Sequence, residues 1–244
     1  MKIGIFDSGL GGINVLKEIK KAYPNEHYIY VGDNKNLPYG SKSKEELINL
    51  ASKIIDYFIK EEVNIIFIAC GTVSSTIYEE LTKKYKIPLV SIVNATILKV
   101  NSLNLDEVAV LGTPNTISSH IFKNKLNCKR VMEVSCEKFV PLIEGKLDVK
   151  FKKIYIEQYL KEIKKERIKN IILGCTHYPL LEEDIKNYLG EVNIINMGTV
   201  LANTIYLKST VKDLNIYFTD NNKELEDKVS IILEEKVETK QLDL

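Results

Sequence analysis

A chain of 244 residues, 45% of them hydrophobic, is long enough to bury one large α/β domain or two modest lobes, which excludes a disordered protein. Lys and Arg number 34 against 33 Asp and Glu, so the formal net charge of +1 provides no basic field of the kind that nucleic-acid binding draws on. No segment has the length and apolar continuity of a membrane span, and the four cysteines (Cys70, Cys128, Cys136, Cys175) lack framework spacing and read as free thiols of a reducing compartment.

The opening stretch Met1-Lys2-Ile3-Gly4-Ile5-Phe6-Asp7 has no signal-peptide layout, so a cytoplasmic location is expected. It enters a strand over residues 2–6 that ends in a carboxylate. A helix over 11–23 carries Ile13, Val15, Leu16 and Ile19 on one face, and a strand over 28–31 follows. After a loop through Leu37-Pro38-Tyr39-Gly40, Ser43 caps a helix over 44–61, with Glu46 three residues on completing a capping box. Next come a strand ending at Cys70, a helix to about Tyr85 and a short strand over 88–93. A second alternating set begins with a strand over 107–111. It runs through a strand ending at Cys175 to another over 192–196, then a last strand over 216–219 and a helix over 223–233. Alternation of this kind predicts mainly parallel sheets flanked by helices. The Lys-rich stretch 161–169 interleaves acids and apolar residues and reads as a solvated helix face.

Two thiols sit at matching places. Cys70 closes the apolar run Asn64-Ile65-Ile66-Phe67-Ile68-Ala69 and is followed by Gly71-Thr72; Cys175 closes Asn170-Ile171-Ile172-Leu173-Gly174 and is followed by Thr176-His177. Each run reads as a buried parallel strand that delivers a thiol to its carboxyl end, where open α/β sheets bind ligands. The repetition predicts two pseudo-symmetric α/β lobes, residues 1–93 plus 207–244 and residues 94–206, with the active site in the cleft between them. The crossing is placed near Asn94 and the return near Tyr206. Two thiols facing one cleft can take a proton from one face of a carbon and return one to the other, which is what a two-base racemase needs. Such a reaction needs a base on each face and electrostatic stabilisation of the carbanion. A free thiol titrates at about 8.5, so local help is required. A helix N-terminus after each thiol is expected to supply it, with Asp7 and His177 placed to exchange protons with the sulfurs. Gly71, Thr72 and Thr176 offer N–H groups and hydroxyls suited to a carboxylate.

The stretches Phe6-Asp7-Ser8-Gly9-Leu10-Gly11-Gly12, Pro38-Tyr39-Gly40, Ile68-Ala69-Cys70-Gly71-Thr72 and Leu173-Gly174-Cys175-Thr176-His177-Tyr178-Pro179-Leu180-Leu181 resemble the glutamate racemases of the aspartate/glutamate racemase family. Leu111-Gly112-Thr113-Pro114-Asn115-Thr116-Ile117 and Phe139-Val140-Pro141-Leu142-Ile143-Glu144 add to the likeness, which runs in family order over nearly the whole chain. The resemblance implies a cofactor-independent enzyme interconverting L- and D-glutamate, the D-form entering bacterial cell wall, and a homodimer. It implies that Cys70 takes the proton from D-glutamate and Cys175 from L-glutamate, assisted by Asp7 and His177. Ser8, Pro38, Tyr39, Gly40, Gly71, Thr72, Thr113, Thr116, Thr176 and His177, with Asp7, are then the substrate-binding set.

The chain departs from the family pattern at three places. Gly71 replaces the usual Asn after the first thiol, Glu137 follows Cys136 where Pro is common, and Asn196-Met197-Gly198 stands where a segment usually begins with Asp. A lost hydrogen bond to a charged group is worth about 1.5–3 kcal/mol, so Gly71 bears on which amino acid is the substrate. Three other readings compete: a racemase of the same fold for another acidic or polar amino acid, a weakly catalytic homologue that binds amino acids or a protein, and a thiol hydrolase using Cys175 and His177. Cys128 and Cys136 are read as structural, and His27 and His120 as surface or packing residues. Gly9, Gly11 and Gly12 lack the Lys-Ser/Thr of a phosphate loop, and Cys175 with His177 is too little for a metal site.

Overall fold

The computed structural model describes residues 1–204 and 212–244. Its first half runs β1 (Lys2–Asp7), α1 (Gly12–Ala22), β2 (His27–Gly32), α2 (Lys44–Lys60), β3 (Ile65–Ile68), α3 (Gly71–Thr76), α4 (Tyr78–Lys84), β4 (Leu89–Ser91) and α5 (Ile92–Ser102). Then follow β5 (Glu107–Gly112), α6 (Pro114–Ser118), α7 (Ile121–Lys125), β6 (Arg130–Ser135), α8 (Phe139–Ile143), α9 (Lys152–Lys165), β7 (Asn170–Leu173) and α10 (Glu182–Leu189). The chain closes with β8 (Asn193–Asn196), α11 (Met197–Thr204), β9 (Asp213–Phe218), α12 (Lys223–Leu233) and β10 (Thr239–Gln241).

The strands form two sheets, ordered β10-β9-β2-β1-β3-β4 and β6-β5-β7-β8, and every pairing is parallel. β1 and β3 are neighbours inside the first sheet, and β5 and β7 are neighbours inside the second. Those strands are covered on both faces, which is why they read as continuous apolar runs. Ile3, Ile5, Phe6, Ile66, Phe67, Ile68, Ile171 and Ile172 are fully buried, each contributing about 1.5–3 kcal/mol of transfer free energy. One core cluster takes residues from both sheets, including Ile3, Ile5, Val108, Val110 and Ile172, together with Ile13 and Leu16 of α1, Val93 and Val100 of α5 and Leu201 of α11. Three helices thus share one core with both sheets, and this holds the carboxyl ends of β3 and β7 toward each other.

The capping box on α2 is present in full: Glu46 N–H donates to the Ser43 hydroxyl at 3.2 Å, and Ser43 N–H donates to the Glu46 carboxylate at 2.8 Å. Elsewhere the structure departs from expectation. The strand expected over 88–93 stops at Ser91, whose side chain caps α5, so Ile92 and Val93 begin a helix. Asn94, near which the lobe crossing is expected, lies in α5, a placement that leaves the lobe bounds open, and Tyr206, near which the return is expected, lies outside the described residues. The helix expected to run to Tyr85 breaks at Ile77 (φ −132°, ψ 7°). Just before that break, the hydroxyls of Ser75 and Thr76 both donate to the Thr72 carbonyl, a local bonding pattern that competes with helix continuation. β6 and β10 are additional: one is an edge strand that is part-exposed along its whole length, the other a three-residue polar strand.

Candidate active site

Strand register places the reactive groups. Phe6 pairs with Ile68, and Ala69 N–H donates to the Phe6 carbonyl at 2.8 Å, so Asp7 and Cys70 emerge side by side from the first sheet. In the second sheet Leu111 pairs with Leu173 and Gly174 N–H donates to the Leu111 carbonyl at 2.7 Å, so Thr113 and Cys175 emerge together. Cys70 of the first pair faces Thr113 and Cys175 across a cavity of about 210 Å³. That is below the volume of a typical drug-sized pocket and suits a small metabolite. Ser8, Pro38, Tyr39, Gly40, Cys70, Gly71, Thr72, Thr113, Cys175, Thr176 and His177 all line it.

Asp7 and Thr116 stand behind the wall. Asp7 is fully buried; its carboxylate accepts from the N–H groups of Gly9 (3.1 Å) and Gly12 (2.9 Å) and from the Thr176 hydroxyl of the opposite side (3.2 Å). Burial pushes the Asp7 carboxyl up, opposed by the charge of His177 and by those three donors. Thr116 is fully buried and its hydroxyl lies 3.0 Å from that of Thr113, which lies 3.0 Å from that of Thr72. This run of hydroxyls joins α3 to α6 across the cleft. Asn115 adds to it by donating to the main-chain carbonyls of Tyr39 (3.3 Å) and Lys42 (2.8 Å). Tyr39 is fixed from behind. Its hydroxyl donates to buried Asp33 at 2.6 Å, and Asp33 also accepts from Thr219 (2.7 Å) and Asn36.

Cys70 is the residue before α3, and the helix-end help expected there is present: the Val73 N–H and the Ser8 hydroxyl both donate to its sulfur. Burial and the charges of Asp7 and Cys175 outweigh that help and push the thiol up to about 12. The corresponding help at Cys175 is not there. The chain after it makes a turn (Tyr178 N–H to the Cys175 carbonyl, 3.1 Å) and a short 3-10 segment over Tyr178–Leu181 before α10 begins. Pro179 has no N–H to give, and the tight turn instead folds His177 back onto the thiol. His177 Nδ1 lies 3.8 Å from the Cys175 sulfur. On its other side Nε2 lies 2.5 Å from a Glu144 carboxylate oxygen, so the nitrogen facing the sulfur is the one free to take up or release a proton. Burial alone would push His177 down. The hydrogen bonds to Cys175 and Glu144, and their charges, override it and hold the imidazole well above its ordinary value. For Glu144, burial is likewise opposed by the bond to His177 and by its charge, which bring the carboxyl below the usual range. Gly11 makes room for this ring, because a Cβ there would collide with His177 Nδ1 and the Thr176 hydroxyl.

Glu144 is the functional neighbour that sequence reasoning left without a role, although its stretch Phe139-Val140-Pro141-Leu142-Ile143-Glu144 stood out. It sits 33 positions from His177 and meets it only through the packing of α8. Cys136, read as structural, also lines the cavity; its thiol is fully buried and donates to the Val134 carbonyl at 3.6 Å. Among the described residues no group of three or more His, Cys, Asp or Glu is placed to hold a metal ion, and no helix is long and apolar enough to cross a membrane.

Residues 3–205 match the family model described as Asp/Glu/Hydantoin racemase. The glutamate racemase of Hydrogenobaculum sp. is 36% identical, covering 100% of this chain and 97% of its own length; that of Aquifex aeolicus is 37% identical, with 98% and 97% covered. Among solved structures, glutamate racemase isoform RacE1 from Bacillus anthracis superposes with a TM-score of 0.91 at 27% identity over 99% of this chain and 97% of that one. Glutamate racemase from Aquifex pyrophilus superposes with a TM-score of 0.85 at 33% identity over 99% and 98%. Two parallel sheets with a thiol at matching strand ends, and a likeness running the full length, make this chain a member of the Asp/Glu/hydantoin racemase family.

Proposed function

We propose that this chain is a cofactor-independent glutamate racemase using Cys70 and Cys175 as its two bases. The observation that carries the reading is that the thiols come from different sheets and line one small cavity. With L-glutamate bound, the Cys175 thiolate takes the α-proton, the electron pair of the broken C–H bond is delocalised into the α-carboxylate, and the Cys70 thiol gives its proton to the opposite face. The reverse reaction exchanges the roles, so nothing is consumed. The elevation of Cys70 keeps it protonated in the empty site, ready to act as the donor. His177, tied to Glu144, relays protons to and from Cys175, while Asp7 braces the turn beside Cys70 and, through Thr176, the turn beside Cys175. Ser8, Pro38, Tyr39, Gly40, Gly71, Thr72, Thr113 and Thr176 hold the carboxylates and amine, with Thr116 backing Thr113. We assign residues 1–93 plus 207–244 and residues 94–206 to the two lobes, and read the molecule as a cytoplasmic homodimer supplying D-glutamate for cell wall.

Gly71 favours keeping a second reading, a racemase for another acidic or polar amino acid, since the amide usual at that place is missing. Purified protein incubated with L- or D-glutamate in heavy water separates the two. Inversion in both directions with deuterium at the α-carbon supports glutamate; no exchange there, with exchange on another amino acid of a panel, selects the second reading.

A further inference from the structure

Gly71 follows Cys70 at the start of α3, and the main chain just ahead of Cys175 passes directly opposite. A Cβ on Gly71 would lie 2.5 Å from the Gly174 carbonyl oxygen. The atom met is backbone, so no rotamer change can relieve the contact. Gly71 does not have a positive φ, so its conformation suits any residue and only the close approach demands glycine. Neither side is free to retreat. Gly174 N–H is bonded to the Leu111 carbonyl at 2.7 Å, while Ser74 bonds the Cys70 carbonyl through its N–H (2.9 Å) and the Ile68 carbonyl through its hydroxyl (3.0 Å). Each thiol-bearing turn is therefore anchored to an interior strand of its own sheet, and the two turns meet main chain to main chain.

We propose that Gly71 is a positioning residue: its missing side chain lets the Cys70 and Cys175 turns close to backbone contact and so sets the separation of the two thiols. The inference rests on the racemase reading of the cleft. Any side chain at position 71 must part the turns from 2.5 Å to at least the 3.0 Å that real Cβ atoms keep, a shift of about 0.5 Å. An asparagine at this position does not fit the cleft at its present width. A proton shuttled between two sulfurs is sensitive to such a change: a misplacement of about 1 Å can cost 10²-fold, so the expected loss in kcat is roughly tenfold.

Gly71→Ala and Gly71→Asn in the full chain test this, Ala being the least demanding change. Two readouts are taken beside thermal unfolding. One is racemisation in both directions. The other is independent of activity: cross-linking of Cys70 to Cys175 by bis-methanethiosulfonates of graded spacer length, followed by peptide mass analysis. The expected result is a roughly tenfold lower kcat, slower cross-linking by the shortest spacer that joins the two thiols of the parent, and an unfolding temperature within a few degrees of the parent. Wild-type kcat in Gly71→Ala, or an unchanged cross-linking rate with that spacer in both variants, overturns the proposal. If the parent protein racemises neither glutamate nor any other amino acid of the panel the racemase reading fails on its own, and the spacer series still decides whether Gly71 sets the gap.

Discussion

Glu144→Gln removes one charge from the buried pair that orients His177 and keeps the shape of the side chain. The glutamine oxygen can still accept from Nε2–H, so the loss is the difference between a charge-assisted bond, about 1.5–3 kcal/mol, and a neutral one, about 0.5–1.5 kcal/mol, which is about 1–1.5 kcal/mol. At about 1.36 kcal/mol per tenfold, kcat/KM should fall about 5- to 13-fold. The two enantiomers have equal free energy, so kcat/KM must fall equally in both directions; an asymmetry can appear only in kcat and KM separately. Stability carries the same signature. His177 is raised above its ordinary value of 6.5, so the stabilisation from its protonation is fully present below that value and is lost as pH rises through the raised one. Glu144 is lowered, so its contribution is present above the ordinary carboxylate range and is lost as pH falls through the lowered value. The difference between parent and variant is therefore greatest from about pH 5 to about 6.5 and declines as pH rises above that. Urea unfolding from pH 5 to 9, with circular-dichroism racemisation assays over the same range, measures both effects. A variant with kcat/KM within twofold of the parent and a parallel stability profile would refute the role given to the pair.

Cys70→Ser should abolish racemisation from both enantiomers, since the carbanion formed by Cys175 then lacks its opposite donor; inversion retained above a few per cent would refute the role of Cys70, and a surviving esterase activity without inversion would favour a hydrolase built on Cys175 and His177. Because the Cys70 thiol is pushed up to about 12, its alkylation by iodoacetamide in the empty enzyme should keep rising from pH 7 to 10. A plateau by pH 8, followed by peptide mass analysis, would show that the thiolate is already formed near neutrality. Ser43→Ala removes the N-cap of α2 and should cost ~1 kcal/mol in denaturant unfolding with kcat/KM unchanged, because the cap is exposed and lies outside the cavity lining.

The sheets were legible because interior parallel strands must be apolar throughout. The runs ending at Cys70 and Cys175 could be recognised from that composition, and α12, which buries only Leu225, Val229 and Leu233, has the bounds expected for it at Lys223–Leu233. Edge elements were not. β6 is part-exposed along its whole length with no alternation of burial, β10 is polar, and the Ser91 cap that turns Ile92 and Val93 into a helix is a single hydroxyl in an apolar stretch. Local chemistry outweighed β-propensity there.

By itself the sequence determined the alternating α/β order, the paired thiols and the groups placed one or two residues from them, because strand periodicity and chain adjacency put those groups at one sheet edge whatever else the chain does. Tertiary structure alone decided what faces what across the cleft. Thr176 reaches Asp7 over 169 positions, His177 reaches Glu144 over 33, and Gly71 meets the Gly174 carbonyl. Nothing local encodes these approaches. They follow from α1, α5 and α11 sharing one core with both sheets, so that burial of apolar surface far from the cavity fixes distances within it.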